Sequence, residues 1–394
     1  MVAQKLAMKV NNVRDHNIRL IMAYLYKKPY SCLELSKKIG ISDVGIRKII
    51  KELEELDIVR RKQEKNVVKT RGNQHIRYVA NKDLGVFLLI DFTQRKERFL
   101  LYDFSGKELL NERFEAPYEY QTEEEIIQLL SKIRETIQVK GLGDKKILHT
   151  TVAITGQTDE KAHSLVFSRL FGVLKDDETG RLYSMFEETF GAPVTIKNNV
   201  TFMAIGDGEI NNRKDSTMSL FVYVGFGIAS SILYQGKPLF ASRGYAGEIG
   251  SGRLGFGMSN TTLYSIFSIK GLIRECSIRG LIDCCDDYLE KKNFEELLRM
   301  YNNNQTVRET ILERARLFGI AIGDFASSIG ADKIILNGEI LEFGEEYARC
   351  VEEGIANEVY HPQLILSKTD NAIVGMLKIA REEMIDQLIE EKNR

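Results

Sequence analysis

Apolar residues near the start of the chain recur at the spacing of one helix face. Ile18, Ile21, Met22 and Leu25 fall at i, i+3, i+4 and i+7, and Pro29 follows, which predicts a helix that stops before the proline. A second helix opens at Ser31-x-x-Glu34, the arrangement of a capping box, and closes at Gly40. A third starts at Ser42, a good N-cap, and carries a stripe of Ile46, Ile49, Ile50 and Leu53. Only Gly40-Ile41-Ser42 separates the second from the third, which is helix-turn-helix spacing. Segments 57–65 (DIVRRKQEK) and 75–81 (HIRYVAN) then read as the strands of a hairpin, with 66–74 (NVVKTRGNQ) as its tip. The expected first domain, residues 1–80, is a winged helix.

The period changes near residue 84. Three short strand-like runs follow, 85–92 (GVFLLIDF), 98–104 (RFLLYDF) and 107–114 (KELLNERF), with Ser105-Gly106 as the turn between the last two. A helix is expected near 122–138, a buried strand over 147–156, a helix over 181–191, a strand over 193–199 and a helix over 200–210. Residues 220–239 read as paired strands bending at Gly225 and Gly227. Helices dominate 260–330, a strand at 333–340 runs into a helix, and 364–368 precedes a final helix from about 371. Antiparallel strands, then alternating helices and strands, then a related pattern again, predict a multidomain α/β chain. Its body has two lobes, 84–205 and 206–394, with a cleft between them and the final helix free to return to the first lobe.

Charge adds a partner. Residues 1–80 hold 18 Lys and Arg against 8 Asp and Glu, a net +10, whereas the remainder holds 37 against 48, a net −11. A basic arm on an acidic body points to a polyanion as the partner of the first domain. On the outer face of the third helix lie Asp43, Gly45, Arg47, Lys48 and, further along, Lys51. The first residues of such a helix reach base edges in the major groove. Arg47 and Lys48 suit guanine or phosphate. Asp43 suits a cytosine amino group or simply the helix N-terminus. Ser42 caps the helix, and Gly45 lets backbone approach closely at a helix cost of up to about 1 kcal/mol. Arg71, Gly72, Asn73 and Gln74 at the wing tip suit the minor groove. Duplex DNA is therefore the expected partner.

Composition is that of an ordinary globular chain, 43% hydrophobic and 28% charged. No run approaches the roughly 20 apolar residues of a membrane span, and the N-terminus does not look like a secretory signal. The five cysteines form no CxxC pair, and only Cys284 and Cys285 are adjacent, so neither a disulfide framework nor a zinc site is suggested. A cytoplasmic location is expected.

Several stretches of the body carry a resemblance. Asp91-Phe92-Thr93-Gln94-Arg95-Lys96 resembles the Asp-x-Gly-Gly-Thr-Lys phosphate loop of the ROK family (repressors, open reading frames and sugar kinases), with Asp103 at the spacing of its second aspartate. Thr93 and Gln94 stand where the family has glycines that let phosphate reach backbone N–H groups. Gly225-Phe226-Gly227-Ile228-Ala229 resembles the second loop, Gly-Thr-Gly-Ile-Gly, with Phe for Thr and Ala for the last Gly. Lys197-Asn198-Asn199 stands where the family's kinases have Glu-Asn-Asp, the Asp being the base that takes the sugar hydroxyl proton. Gly244-Tyr245-Ala246-Gly247-Glu248-Ile249-Gly250-Ser251 is similar to Gly-x-Ala-Gly-Glu-Ile-Gly-His. Glu248 is the sugar-binding carboxylate there, and Ser251 replaces a His that contacts sugar and zinc. Tyr264 aligns with a second sugar-binding Glu, and the zinc cysteines are missing from 253–265.

The resemblance spans nearly the whole chain. It implies a winged helix-turn-helix followed by an actin/hexokinase-like ATPase fold, closest to the branch that includes the xylose and N-acetylglucosamine repressors. An amide can hydrogen-bond a hydroxyl but cannot activate it. With both loops, the base and the zinc site altered together, no enzyme activity, cofactor or metal is expected. The expected function is a DNA-binding regulator, a repressor of carbohydrate genes, whose body can take a sugar or sugar-phosphate effector through Gly156, Asn198, Asn199, Glu248 and Ser251. Two other readings stand beside it. One is a working carbohydrate kinase with an appended DNA-binding domain, and the other is a body that binds a transport or signalling protein. A palindromic operator is expected from helix-turn-helix geometry, with a homodimer or homotetramer bound to it.

Overall fold

The computed structural model describes residues 2–62, 76–93, 97–174, 177, 179–211, 217–239, 246–253, 261–282, 291–356, 359–368 and 371–393. They fall into two compact units, one of residues 1–156, 162–196 and 376–394, the other of 157–161 and 197–375. Among the described residues no helix is long and apolar enough to cross a membrane.

The first unit begins with α1 (Val2–Leu25), α2 (Cys32–Ile39) and α3 (Asp43–Glu55). The periodic stretch 18–25 is thus the end of a longer helix. Ile18, Ile21, Met22, Leu25, Leu35, Ile46, Ile50 and Leu53 are all buried, so the stripes read from the sequence meet in one small core. Strand β1 (Val59–Lys62) pairs antiparallel with β2 (Arg77–Ala80), Val59 opposite Ala80. Tyr30 and Tyr78 exchange backbone hydrogen bonds at 3.0 and 2.8 Å, which tie the hairpin to the segment before α2.

Next come β3 (Val86–Asp91), β4 (Arg98–Asp103), β5 (Glu108–Arg113), α4 (Glu123–Val139), β6 (Ile147–Ile154), β7 (Gly156–Asp159), β8 (Ser164–Ser168), α5 (Arg181–Phe190) and β9 (Val194–Asn198). One sheet has the order β5-β4-β3-β6-β9, with β3 antiparallel to β4 and parallel to β6. Strand β3 is buried at every position, as a central strand covered on both faces must be. Val86, Leu88 and Ile90 share a core with Ile126, Leu130 and Ile133 of α4 and with Leu182 and Phe186 of α5. Opposite Phe87 in the parallel register is His149, which is 1% exposed with its Nε2 3.0 Å from Thr195 Oγ1. Burial pushes its imidazole down to about 4.

The second unit holds α6 (Asn199–Ile210), β10 (Met218–Val224), β11 (Ile228–Tyr234), β12 (Lys237–Pro238), α7 (Leu263–Phe267), α8 (Ile269–Ile278), α9 (Lys291–Asn303), α10 (Gln305–Ser328), β13 (Lys333–Asn337), α11 (Glu345–Ile355) and β14 (Gln363–Ser367). Its sheet, β12-β11-β10-β13-β14, repeats the plan of the first: antiparallel on one side of β10, parallel to β13 on the other. Helices α10 and α11 cross closely because both carry glycine at the contact. A Cβ on Gly319 would lie 2.1 Å from the Val351 carbonyl oxygen, and one on Gly354 would lie 2.1 Å from that of Arg316.

The last helix, α12 (Ala372–Asn393), leaves the second unit at Gly375 and continues in the first. There Arg381 makes a junction. Its guanidinium lies 4.0 Å from the ring centroid of Tyr26 at the end of α1, and its Nη2 donates to the Ser105 carbonyl oxygen at 2.9 Å in the β4–β5 turn. Tyr26 meets Phe104 edge-on at 5.4 Å. Gly106, at φ 97°, leaves the room: a Cβ there would fall 2.0 Å from Arg381 Nη2. Further along, Arg19 of α1 donates to Asp386 Oδ1 through Nε at 2.9 Å and Nη2 at 2.5 Å. That exposed pair contributes little, whereas the desolvated cation over Tyr26 is worth about 2 kcal/mol.

Two predictions follow from this packing. Arg381→Met, which keeps the aliphatic contact, should lower stability to urea by about 2 kcal/mol, whereas Asp386→Ala should change it by less than about 0.5 kcal/mol. His149 stays neutral in the folded chain well below the pH at which an unfolded histidine charges. Its contribution is therefore complete above about pH 6.5 and is lost as pH falls toward 4, for an order-of-magnitude total of about 3 kcal/mol. Urea midpoints measured between pH 7 and pH 4.5 should fall less steeply in His149→Gln than in the parent.

Candidate functional site

The outer face of α3 is built by caps. Ser31 Oγ accepts from Glu34 N at 3.3 Å while the Glu34 carboxylate accepts from Ser31 N at 2.8 Å, and Gly40 ends α2 at φ 78°. Ser42 Oγ accepts from Gly45 N at 3.2 Å and starts α3, so the Ser42 hydroxyl is committed to the helix. With Ile46, Ile49, Ile50 and Leu53 turned inward, Arg47, Lys48 and Lys51 are exposed. Arg47 Nε donates to Asp43 Oδ2 at 2.7 Å, an i,i+4 pair on the exposed face. Asp43 therefore orients Arg47 first and is available to a base only by giving it up. Gly45 has a local reason as well: a Cβ would sit 3.1 Å from Ile41 Cγ2 and 3.2 Å from Ser42 Oγ.

Val44 is 78% exposed beside these residues. The sequence reading passed over it, although its place off the apolar stripe signalled an outward side chain. An apolar group there suits a thymine methyl. Arg47 and Arg61 line one hollow of about 310 Å³ with Ser31, Asp43 and Tyr78, which brings α3 and the hairpin strand to the same side. The wing-tip residues Arg71, Gly72, Asn73 and Gln74 lie outside the described residues.

In the body, several residues at chemically suggestive positions hold local structure. Asp91 ends β3 almost fully buried; its Oδ1 accepts from Thr93 N at 2.9 Å and its Oδ2 lies 3.6 Å from Arg98 Nη2. Gln94, Arg95 and Lys96 lie outside the described residues. Asp103 Oδ1 accepts from Ser105 Oγ and from the N–H groups of Gly106 and Lys107 at 2.6, 2.9 and 3.0 Å, and so fixes the β4–β5 turn. Gly156 is a packing glycine, since a Cβ would fall 2.4 Å from the Phe167 carbonyl oxygen.

Asn198, Asn199, Glu248 and Ser251 all belong to the second unit, whereas Gly156 belongs to the first. Asn198 Oδ1 accepts from Val200 N at 3.0 Å, so this oxygen caps α6. Asn199, the first residue of α6, is 7% exposed, and among the described residues none hydrogen-bonds its side-chain amide. Lys197, equally buried, pairs through Nζ with Glu160 Oε1 at 2.5 Å. Glu248 is half-buried. Burial pushes its carboxyl up, and a hydrogen bond from Gln157 pulls the other way. Ser251 closes a 3-10 turn, Ile249–Ser251, and is exposed. Tyr264 on α7 is 38% exposed. The Gly225–Gly227 segment is a tight turn between β10 and β11, closed by Gly225 N donating to Gly227 O at 2.9 Å. Phe226 packs edge-on against Phe294 at 6.2 Å, on the unit's core.

A family profile described as the ROK family matches residues 88–383. A xylose repressor from Caldicellulosiruptor bescii is 20% identical over 390 residues, covering 94% of this chain and 96% of the repressor. A solved ROK family transcriptional regulator, described as a homologue of the E. coli MLC protein, superposes with a TM-score of 0.76 at 18% identity, over 96% of this chain and 98% of its own. A ROK family glucokinase from Streptomyces griseus, solved with glucose and AMPPNP, gives a TM-score of 0.56 at 17% identity, over 77% of this chain and all of the kinase. The fold is therefore that of a winged helix joined to an actin-like ATPase body.

Proposed function

The chain belongs to the ROK family, and from that premise we propose that it is a sugar-responsive transcriptional repressor whose body no longer transfers phosphate. One observation carries the reading: a basic winged helix, with Arg47, Lys48 and Lys51 exposed on α3, precedes the family's body in a chain that aligns end to end with a xylose repressor. Arg47, Lys48, Lys51 and the wing tip (Arg71, Gly72, Asn73, Gln74) read DNA, with Ser42, Asp43 and Gly45 setting the start of α3 that presents them. Two copies on a palindromic operator suit the motif.

The effector is a sugar or sugar phosphate, and D-xylose is the first to test. Asn199 supplies a buried amide with both a donor and an acceptor, and Glu248 a carboxylate for hydroxyls. Asn198 contributes only what its cap leaves over, and Ser251 forms the rim. Such a ligand changes DNA affinity only by preferring one of two arrangements of the chain. Kinase activity is disfavoured because Asn199 cannot take a proton from a hydroxyl; loss of a general base alone costs about 10²–10⁴ in rate.

Genome-wide mapping of bound DNA supplies the operator. Fluorescence anisotropy on that duplex, with and without D-xylose, then tests the regulator. A coupled assay with ATP and a panel of hexoses, pentoses and amino sugars tests the kinase. Sugar-dependent operator release and no turnover are expected. ATP-dependent product with no preference for any duplex over random competitor would sink the reading. Arg47→Ala should weaken operator binding by about 1–3 kcal/mol while leaving non-specific binding nearly unchanged. Asn199→Asp should yield no measurable turnover.

A further inference from the structure

Strands β10 and β13 run parallel at the centre of the second sheet and end together, Tyr223 opposite Asn337. The carboxyl ends of adjacent parallel strands are where an α/β sheet takes its ligands, and glycines there let phosphate oxygens approach. Both strands are followed by glycine. Gly338 is fixed by packing: its φ is 110°, and a Cβ would fall 2.2 Å from the Val224 carbonyl oxygen. Gly225 has no such left-handed backbone. What a Cβ on it would strike first is the Glu339 carboxylate, at 2.4 Å. Tyr223 OH donates to that same oxygen, Glu339 Oε2, at 2.6 Å.

An anionic oxygen is thus pinned by a hydroxyl over the glycine that opens this end of the sheet. A phosphate presents the same chemistry and would compete for the same space and donor. The turn offers little else, because Gly225 N–H already closes on Gly227 O. We propose that Glu339 is an internal anion that occupies this strand-end site and excludes nucleotide phosphates from it. The inference rests on the reading of the body as one that does not transfer phosphate, and gives that reading a residue outside the altered loops and the Asn199 position. Two like charges a few ångströms apart at partial exposure weaken binding by roughly a hundredfold.

Titrations of the full-length chain with MgADP, and with inorganic pyrophosphate to separate phosphate from adenine recognition, test this by calorimetry and thermal shift. The parent should show no saturable binding. Glu339→Ala, which clears the space, and Glu339→Gln, which removes only the charge, should both gain it, the Ala variant by at least about tenfold over the parent's limit. A urea unfolding curve like the parent's certifies that each variant is folded, and the isosteric Gln variant serves if the Ala variant is not. MgADP binding by the parent as tight as by the variants, or folded variants that gain nothing, would overturn the proposal. The two readings fail separately: a parent that binds MgADP without phosphorylating any sugar removes only the role of Glu339, and one that phosphorylates sugar removes both.

Discussion

Arg381 over Tyr26 is the contact on which the arrangement of the first unit depends. A guanidinium held against an aromatic face and a backbone carbonyl joins three segments distant in sequence: the end of α1, the β4–β5 turn and α12. Beside it, Tyr26 meets Phe104 at the end of β4, and the exposed Arg19–Asp386 pair joins α1 to α12.

Polar side chains of the body satisfy local groups. Asp103 gathers three donors in a turn, Asp91 caps Thr93 and faces Arg98, and Asn198 caps α6. Buried polar groups must find partners, and these side chains find theirs within the fold. Glu339 belongs with them in its proposed role, as an oxygen that stays within the molecule where a ligand's would otherwise go.

Much of the fold was legible because it obeys period and cap rules. The stripes of α1 and α3, the Ser31–Glu34 box and the three antiparallel strands before α4 each followed from local pattern. The boundaries that moved did so for tertiary reasons. The strand at 333–340 stops at Asn337 because Gly338 must turn at φ 110° against β10, and a 3-10 turn, Glu339–Phe343, intervenes before α11. The strand at 193–199 yields its last residue, Asn199, to the helix that Asn198 caps. In the candidate sites the residue types were readable, but most of their engagements were not. The Asp43–Arg47 pair follows from i,i+4 spacing on one helix, but nothing local showed that Gly156 faces a carbonyl oxygen or that Glu339 lies over Gly225.

The sequence by itself determined the classes of chemistry: a basic helix-turn-helix, a body of ROK pattern, and an amide where a proton acceptor would be required. Those are properties of residue type and spacing, set by side-chain ionisation and helical period. Only the tertiary structure decided which polar groups were already spent and which remained. That is settled by contacts between residues as far apart as Tyr26 and Arg381 or Tyr223 and Glu339, and sequence separation carries no information about such distances until the chain has packed.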